Sequence, residues 1–283
     1  MDATVVIPVW KVEKIIGDVL TALGACHGDF EILVVNDHSP DRTADIVRGF
    51  AGKDKRIKLI DNEGLKGPSG ARNTGICHAR GDRIIFLDSD IVVLTPDFVR
   101  AHVESGKQHQ IVVGRTVPCK PNYLANVSKV GNENRSYFAV NNTSLPREIA
   151  LANLFREDAR LGTEDYELRN RLKAQNFDSY YCVDAVGKHV LLIGWTGLWK
   201  EGWIRGLTNV SVESWKSAAM FFGGAIYKSA KYTWRSRNNL KMRQTPLFYI
   251  AHLTGSMTFN LGCMIGRLFR AAGHPITREK KNA

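Results

Sequence analysis

The chain has 283 residues, 44% of them hydrophobic and 24% charged, which is enough apolar content to bury a substantial core and excludes a wholly disordered polymer. Its net charge of +11 is unevenly placed: residues 187–283 carry fifteen Lys or Arg against three Glu, so the other 186 residues sum to −1. That asymmetry excludes a generally basic nucleic-acid surface over the first two thirds, and five scattered cysteines with no CxxC pair predict a reducing compartment and no zinc site.

The chain enters "VVIPV" within four residues, with no basic leader or cleavage site, which predicts no secretory signal. "TVVIPV" at 4–9 predicts a short β-branched strand halted by Pro8. Val12, Ile15, Ile16, Val19, Leu20 and Leu23 keep the 3.6-residue period and predict a helix over 12–25. "FEILVVND" at 30–37 reads as a second strand, and "SPDRTADIVRGFAG" as a helix opened by capping and acidic residues. "IKLIDN" at 57–62 is a third strand, "GLKGPSGARNTGICHARG" a Gly-rich loop running into a helix, and "DRIIFLDSD" a fourth strand. Beyond residue 98 the pattern is less regular: a helix near 97–106, a strand at 110–117, then a strand, a polar turn and a helix through "RSYFAVNNTSLPREIALANLFRE". "GTEDYELRNRLKAQN" predicts a helix from near Thr163, and "FDSYYCVDAVGKHVLL" a strand region ending near His189.

Strands alternating with helices at this spacing predict an α/β fold with a mostly parallel sheet covered on both faces. Asp37, Asn62 and Asp88 fall where strands end, and open α/β sheets bind ligands at that carboxyl edge. Each aspartate alone is explained by turn chemistry; three strand ends on one edge point to a site. The Gly-rich loop lacks the Gly–Lys–Ser/Thr ending of a Walker loop and the GxGxxG dinucleotide pattern.

The segments "VVIPVW", "EILVVNDHSPDRT", "GPSGARNTGI", "GDRIIFLDSDI", "GTEDYELRNRL" and "GKHVLLIGWTGLWKEGWIRG" follow one another in an order that resembles a family 2 glycosyltransferase with the GT-A fold. The resemblance implies a single Rossmann-like, mostly parallel sheet flanked by helices over residues 1–205, plus a C-terminal helical extension over 206–283. It also implies inverting transfer of a sugar from a UDP-sugar, assisted by Mn²⁺ or Mg²⁺, to a glycan acceptor, which the basic, apolar C-terminal region makes a lipid-linked one by expectation. A divalent cation suits a leaving diphosphate because it stabilises the charge that grows as the glycosidic bond breaks, and hard cations take carboxylate oxygens.

Residue by residue, the resemblance makes Asp90 of "DSD" the direct metal ligand, Asp88 a ribose contact or indirect metal ligand, Ser89 part of the donor site, and His189 a further metal or diphosphate ligand. Pro8, Val9, Asp37 and Ser39 are expected around base and ribose, Arg72 at the phosphate or the base, and Lys200 and Arg205 beside the diphosphate. The opening "PVWKVEK" departs from the family's usual Asn–Glu pair at Trp10 and Lys11. Inverting transfer needs a base for the acceptor hydroxyl, and the resemblance places it on Asp165 of "TED". Glu164, Asn141 and Asn142 are expected on the acceptor side.

The tail mixes tryptophans, cations and apolar clusters, and Thr245–Gly266 holds no Asp, Glu, Lys or Arg. Three readings stand for it: attachment lying on a membrane surface, a helical packing or homo-oligomeric unit, or a span or re-entrant hairpin. The expected location is the cytoplasmic side of a membrane, peripheral or monotopic, with the cytoplasm as the alternative. A polyprenyl-phosphate glycosyltransferase using the same site is the alternative enzyme, and a nucleic-acid-binding protein the alternative of another class.

Overall fold

A computed structural model describes residues 1–118, 140–157 and 164–190, all within one compact unit. The elements are β1 (Ala3–Val9), α1 (Ile16–Gly24), β2 (Phe30–Asn36), α2 (Thr43–Ala51), β3 (Ile57–Asp61), α3 (Pro68–His78) and β4 (Arg83–Leu87). They continue with β5 (Ile91–Val93), α4 (Phe98–Gly106), β6 (Ile111–Pro118), β7 (Asn142–Pro146), α5 (Arg147–Ala152), α6 (Glu164–Ala174) and β8 (Ser179–His189).

The eight strands form one sheet in the order β3-β2-β1-β4-β7-β6-β8-β5. β3, β2, β1 and β4 are mutually parallel, whereas β7 is antiparallel to both β4 and β6, β6 is parallel to β8, and β5 is antiparallel to β8. The sheet is therefore mixed: β3, β2, β1, β4, β6 and β8 run one way, so the expected mostly parallel sheet is found with two strands, β7 and β5, running against it. Hydrophobic period reports that a strand exists but not its direction. The reversal begins at β7, "NTSLP", which lies within the stretch expected to hold a strand, a polar turn and a helix.

Every residue of β2 is buried, as a central parallel strand covered on both faces requires. Its side chains divide between two cores. Ile32 and Val34 join Val5, Ile7 and the α1 residues Ile16, Val19, Leu20 and Leu23 on one face. Leu33 and Val35 join Val6, Ile84, Phe86 and the α3 residues Ala71 and Ile76 on the other. Phe86, 1% exposed, contributes about 2–3 kcal/mol by burial alone. α3 lies close against β1 and β2 because Gly75 carries no side chain; a Cβ there would collide with Val6.

α1 starts four residues later than the periodicity predicts. Lys11 adopts a left-handed φ of 55°, and the Val12 N–H is taken by Thr43 Oγ1 at 3.0 Å, so the chain makes a turn before the helix begins. Among the described residues no helix is long and apolar enough to cross a membrane. The predicted tail segment, the 205/206 boundary, Lys200 and Arg205 lie outside the described residues.

Candidate active site

Because β1, β2 and β4 run parallel, their polar C-terminal ends reach the same edge; Val9 of β1 stands in register with Asn36 of β2. There the Asp37 N–H donates to Val9 O at 2.9 Å and the Ser39 hydroxyl donates to the same carbonyl at 3.4 Å. Asn62 Nδ2, at the end of β3, donates to Asp37 Oδ1 at 2.7 Å and fixes that buried carboxylate. The structure thus brings Pro8, Val9, Asp37 and Ser39 together, and adds Asn62, whose place at a strand end was the only signal for it. Trp10, 50% exposed, stands beside them with the Lys11 ammonium 4.9 Å from its ring centroid.

The two aspartates of "DSD" take different partners. A tight turn, in which the Ile91 N–H donates to Asp88 O at 3.0 Å, separates them and carries the half-buried Ser89 between β4 and β5. Asp88 Oδ1 accepts from Arg72 Nη2 of α3 at 2.9 Å. Asp90 Oδ2 lies 2.9 Å from His189 Nε2, because β5 pairs with the last residues of β8 and sets Ile91 opposite His189.

Arg72 is the centre of a second group. Its Nη1 lies 3.5 Å from Glu164 Oε1 and 4.0 Å from Asp165 Oδ1, both in the first turn of α6. Arg72, expected at the phosphate or the base, has its side chain 6% exposed and faces Asp88, Glu164 and Asp165. Burial, which would lower its pKa, is outweighed by Asp88, Asp165 and Glu164, which hold it above the usual value.

Asp165 has its Oδ1 buried while the side chain as a whole is 36% exposed. Burial of that oxygen pushes its carboxyl up to about 6; Arg72 opposes the rise, and Glu164 and Asp88 add to it. Oδ2 accepts the Val140 N–H at 3.3 Å. A carboxyl poised this way is suited to exchange protons near neutral pH.

Asp90 and His189 suit a divalent cation: a carboxylate oxygen and an imidazole nitrogen stand side by side, 17% and 7% exposed. Asp88 already has one carboxylate oxygen on the Arg72 guanidinium at 2.9 Å, and that positive charge disfavours a cation bound directly beside it. Among the described residues no cluster of three or more His, Cys, Asp or Glu forms a closed metal cage. An ion held by this pair would need further ligands, and the oxygens of a diphosphate would suit it.

Asn142, expected on the acceptor side, is committed to the core. It is 1% exposed, its Oδ1 lies 2.9 Å from His102 Nε2, and its Nδ2 donates to Ala185 O at 3.1 Å. The cause is a β-bulge between β6 and β8 at Gly114/Arg115, which leaves Ala185 outside the ladder and its carbonyl in need of a donor. His102, fully buried, is pushed down to about 4 by that burial and is neutral at physiological pH. Asn141 is also buried, and its backbone oxygen accepts the Asp88 N–H at 3.2 Å.

Sequence reasoning missed the clasp beside Arg72. Asn73 Nδ2 donates to Phe155 O at 2.9 Å and Glu157 Oε1 at 3.0 Å, while its Oδ1 accepts the Phe155 N–H at 2.8 Å. Glu157 Oε2 in turn accepts the Leu65 N–H of the Gly-rich loop at 2.6 Å.

The fold is that of the Pyrobaculum calidifontis mannosyltransferase PcManGT in complex with GDP-Man and Mn²⁺, with a TM-score of 0.60 at 17% identity over 97% of this chain and 76% of that one. Staphylococcus aureus TarS 1–349 in complex with UDP-GlcNAc gives a TM-score of 0.56 at 14% identity, covering 98% and 93%. In sequence, the chain is 37% identical over 112 residues to the uncharacterized glycosyltransferase EpsJ of Bacillus subtilis, covering 39% of this chain and 32% of that protein. It is 40% identical over 88 residues to the Escherichia coli UDP-Glc:alpha-D-GlcNAc-diphosphoundecaprenol beta-1,3-glucosyltransferase WfgD, covering 31% and 34%. The matched segments span about a third of these curated relatives. The sequence profile described as glycosyl transferase family 2 matches residues 4–154, which carry β1 to α5 and both aspartates of the turn, and the chain belongs to that family.

Proposed function

We propose that this glycosyltransferase moves a sugar from a UDP-sugar to a glycan acceptor carried on a lipid, with inversion at the anomeric carbon and with Asp165 as the base. The observation that carries the reading is the meeting of Asp88, Glu164 and Asp165 around Arg72, on the edge that also holds Asp37 and the Asp90–His189 pair. Asp37 and the backbone at Pro8–Val9 hold the base and ribose, with Ser39 and Ser89 lining the approach; Asp88 keeps one carboxylate oxygen for the ribose. Asp90 and His189 would hold Mn²⁺ or Mg²⁺, which supplies charge stabilisation for the departing diphosphate. Asp165 accepts the proton of the acceptor hydroxyl as its oxygen bonds to the anomeric carbon. The bond to the diphosphate breaks and its electron pair leaves with UDP. Lys200 and Arg205 are assigned to that leaving group, and Glu164 and Asn141 to the acceptor side.

Support for the donor class comes from the names of the relatives: WfgD uses UDP-Glc and a diphosphoundecaprenol-linked acceptor. The basic, apolar region 206–283 is assigned to a membrane surface, with the active site on the cytoplasmic side where nucleotide sugars occur. The test is a panel of UDP- and GDP-sugars with Mn²⁺ or Mg²⁺, read as nucleotide release, followed by transfer to lipid-linked glycans and NMR of the product anomer. Absence of nucleotide binding and release across the panel sinks the reading; a retained anomeric configuration removes inversion. Transfer to polyprenyl phosphate alone would move the acceptor to the alternative class.

A further inference from the structure

Arg72 is fixed from several sides. α3 is seated by Gly75 against Val6, and the Asn73 side chain clasps the backbone of Phe155. The Phe155 ring lies 5.4 Å from the guanidinium carbon, and is itself held edge-on by Phe86 with ring centroids 5.4 Å apart. A guanidinium confined between an aromatic face and Asp88 does not swing out toward a donor phosphate. What remains open on it is directional: Nε and Nη1 make no hydrogen bond among the described residues, and Nη1 faces α6.

On the α6 side, Asp165 Oδ1 also makes no hydrogen bond among the described residues and lies 4.0 Å from Nη1. That gap is about 1 Å longer than a charge-assisted hydrogen bond. The carboxylate is therefore oriented by the field of the cation without having its lone pairs consumed by it.

We infer that Arg72 is a positioning residue for sugar transfer: one guanidinium, hydrogen-bonded to Asp88 on the donor side, holds Asp165 on the acceptor side with Oδ1 aimed and not hydrogen-bonded among the described residues, while Oδ2 is anchored by the Val140 N–H. The inference rests on the reading of Asp165 as the base. It reassigns Arg72 from donor binding to alignment of the two halves of the reaction. Arginine suits this position because its planar fork presents separate nitrogens to two acids in fixed directions, which a lysine ammonium does not.

The test uses the full chain with Mn²⁺, UDP as the binding probe by titration calorimetry, and the UDP-sugar turned over fastest in the panel. Arg72→Lys keeps the charge and loses the fork. Its kcat falls about 10-fold or more, its UDP Kd stays within about twofold, and the acid limb of its pH profile stays in place. Arg72→Gln removes the charge that opposes the rise caused by burial, Glu164 and Asp88, so its acid limb moves to higher pH by about one unit. Weakening of UDP binding in step with the kcat loss in Arg72→Lys would mean that Arg72 holds the donor, and overturns the inference. An unmoved acid limb in folded Arg72→Gln overturns it too. If Arg72→Gln does not fold, Arg72→Lys decides alone: unchanged kcat overturns the inference, and loss of kcat at constant UDP affinity supports it. A wild-type chain that neither binds UDP nor releases nucleotide overturns the functional reading itself, a result distinct from either variant outcome.

Discussion

His189 Nε2 lies 2.9 Å from Asp90 Oδ2, although ninety-nine positions separate the two residues in sequence. The antiparallel pairing of β5 with β8 makes the contact, by setting Ile91 opposite His189 and placing the preceding aspartate at the strand mouth. The two acids of the "DSD" turn thus take different partners, Asp90 beside His189 and Asp88 beside Arg72.

Asp90→Ala and His189→Ala are expected to lose Mn²⁺-dependent UDP affinity by at least about tenfold, leaving metal-free affinity nearly unchanged. Asp88→Asn keeps a hydrogen-bonding oxygen toward Arg72 and retains most of the metal dependence. Titration of UDP with and without Mn²⁺ separates the three. A larger loss of metal dependence in Asp88→Asn than in Asp90→Ala reverses the assignment.

Asp165→Asn is expected to lower transfer by about 10²–10⁴-fold while UDP binds with near wild-type affinity, because the amide cannot accept the acceptor proton. The change is close to isosteric and keeps an oxygen for the Val140 N–H, so thermal stability is preserved. Transfer that survives in this variant rules out Asp165 as the base.

The parallel half of the sheet is legible in the sequence because β1, β2 and β4 are apolar runs ending in polar residues, a local pattern. β7 is not legible. "NTSLP" carries little strand propensity, and it extends because Thr143 and Asn142 pair with Phe86 and Leu87, more than fifty positions earlier. The candidate site divides in the same way. Asp37 and Asp88 announce themselves at strand ends, and Asp90, Asp165 and His189 are legible only through family resemblance. The direction of Arg72 is set by Phe155, Asp88 and α6, none of them near it in sequence. The inward turn of Asn142 follows from a bulge that no residue pattern marks.

Asn142→Leu is expected to destabilise the fold by about 1–3 kcal/mol, since it strands the Ala185 carbonyl and a ring nitrogen of His102 in the core. UDP affinity of the folded fraction is expected to stay unchanged. Urea unfolding followed alongside UDP titration checks both halves. A stable protein with a raised acceptor KM would return Asn142 to the acceptor side.

The raised carboxyl of Asp165 has two consequences of definite sign. With a folded pKa of about 6 against about 4 in the unfolded chain, the native state binds more protons than the unfolded state between those values. Asp165 therefore adds stability at low pH that is lost as pH rises from about 4 to about 6. Because the side chain is 36% exposed, solvent screening keeps the effect to about 1 kcal/mol or less. The difference in unfolding free energy between wild type and Asp165→Asn isolates it. Glu31 acts in a separate window: despite burial, Lys58 and Arg80 hold its carboxyl down at about 2, so its contribution is present above pH 4 and is common to both proteins. Activity moves the other way, since a base must be ionised to accept a proton. The kcat/KM for transfer is expected to climb through about pH 6 and level above it. Arg72 from α3, Glu164 beside it on α6 and Asp88 from the β4 turn are the charges that face the carboxyl. Glu164→Gln removes one of the two negative neighbours and is expected to move the acid limb to lower pH. A limb that stays where it was, or moves upward, shows that a group other than Asp165 sets the profile.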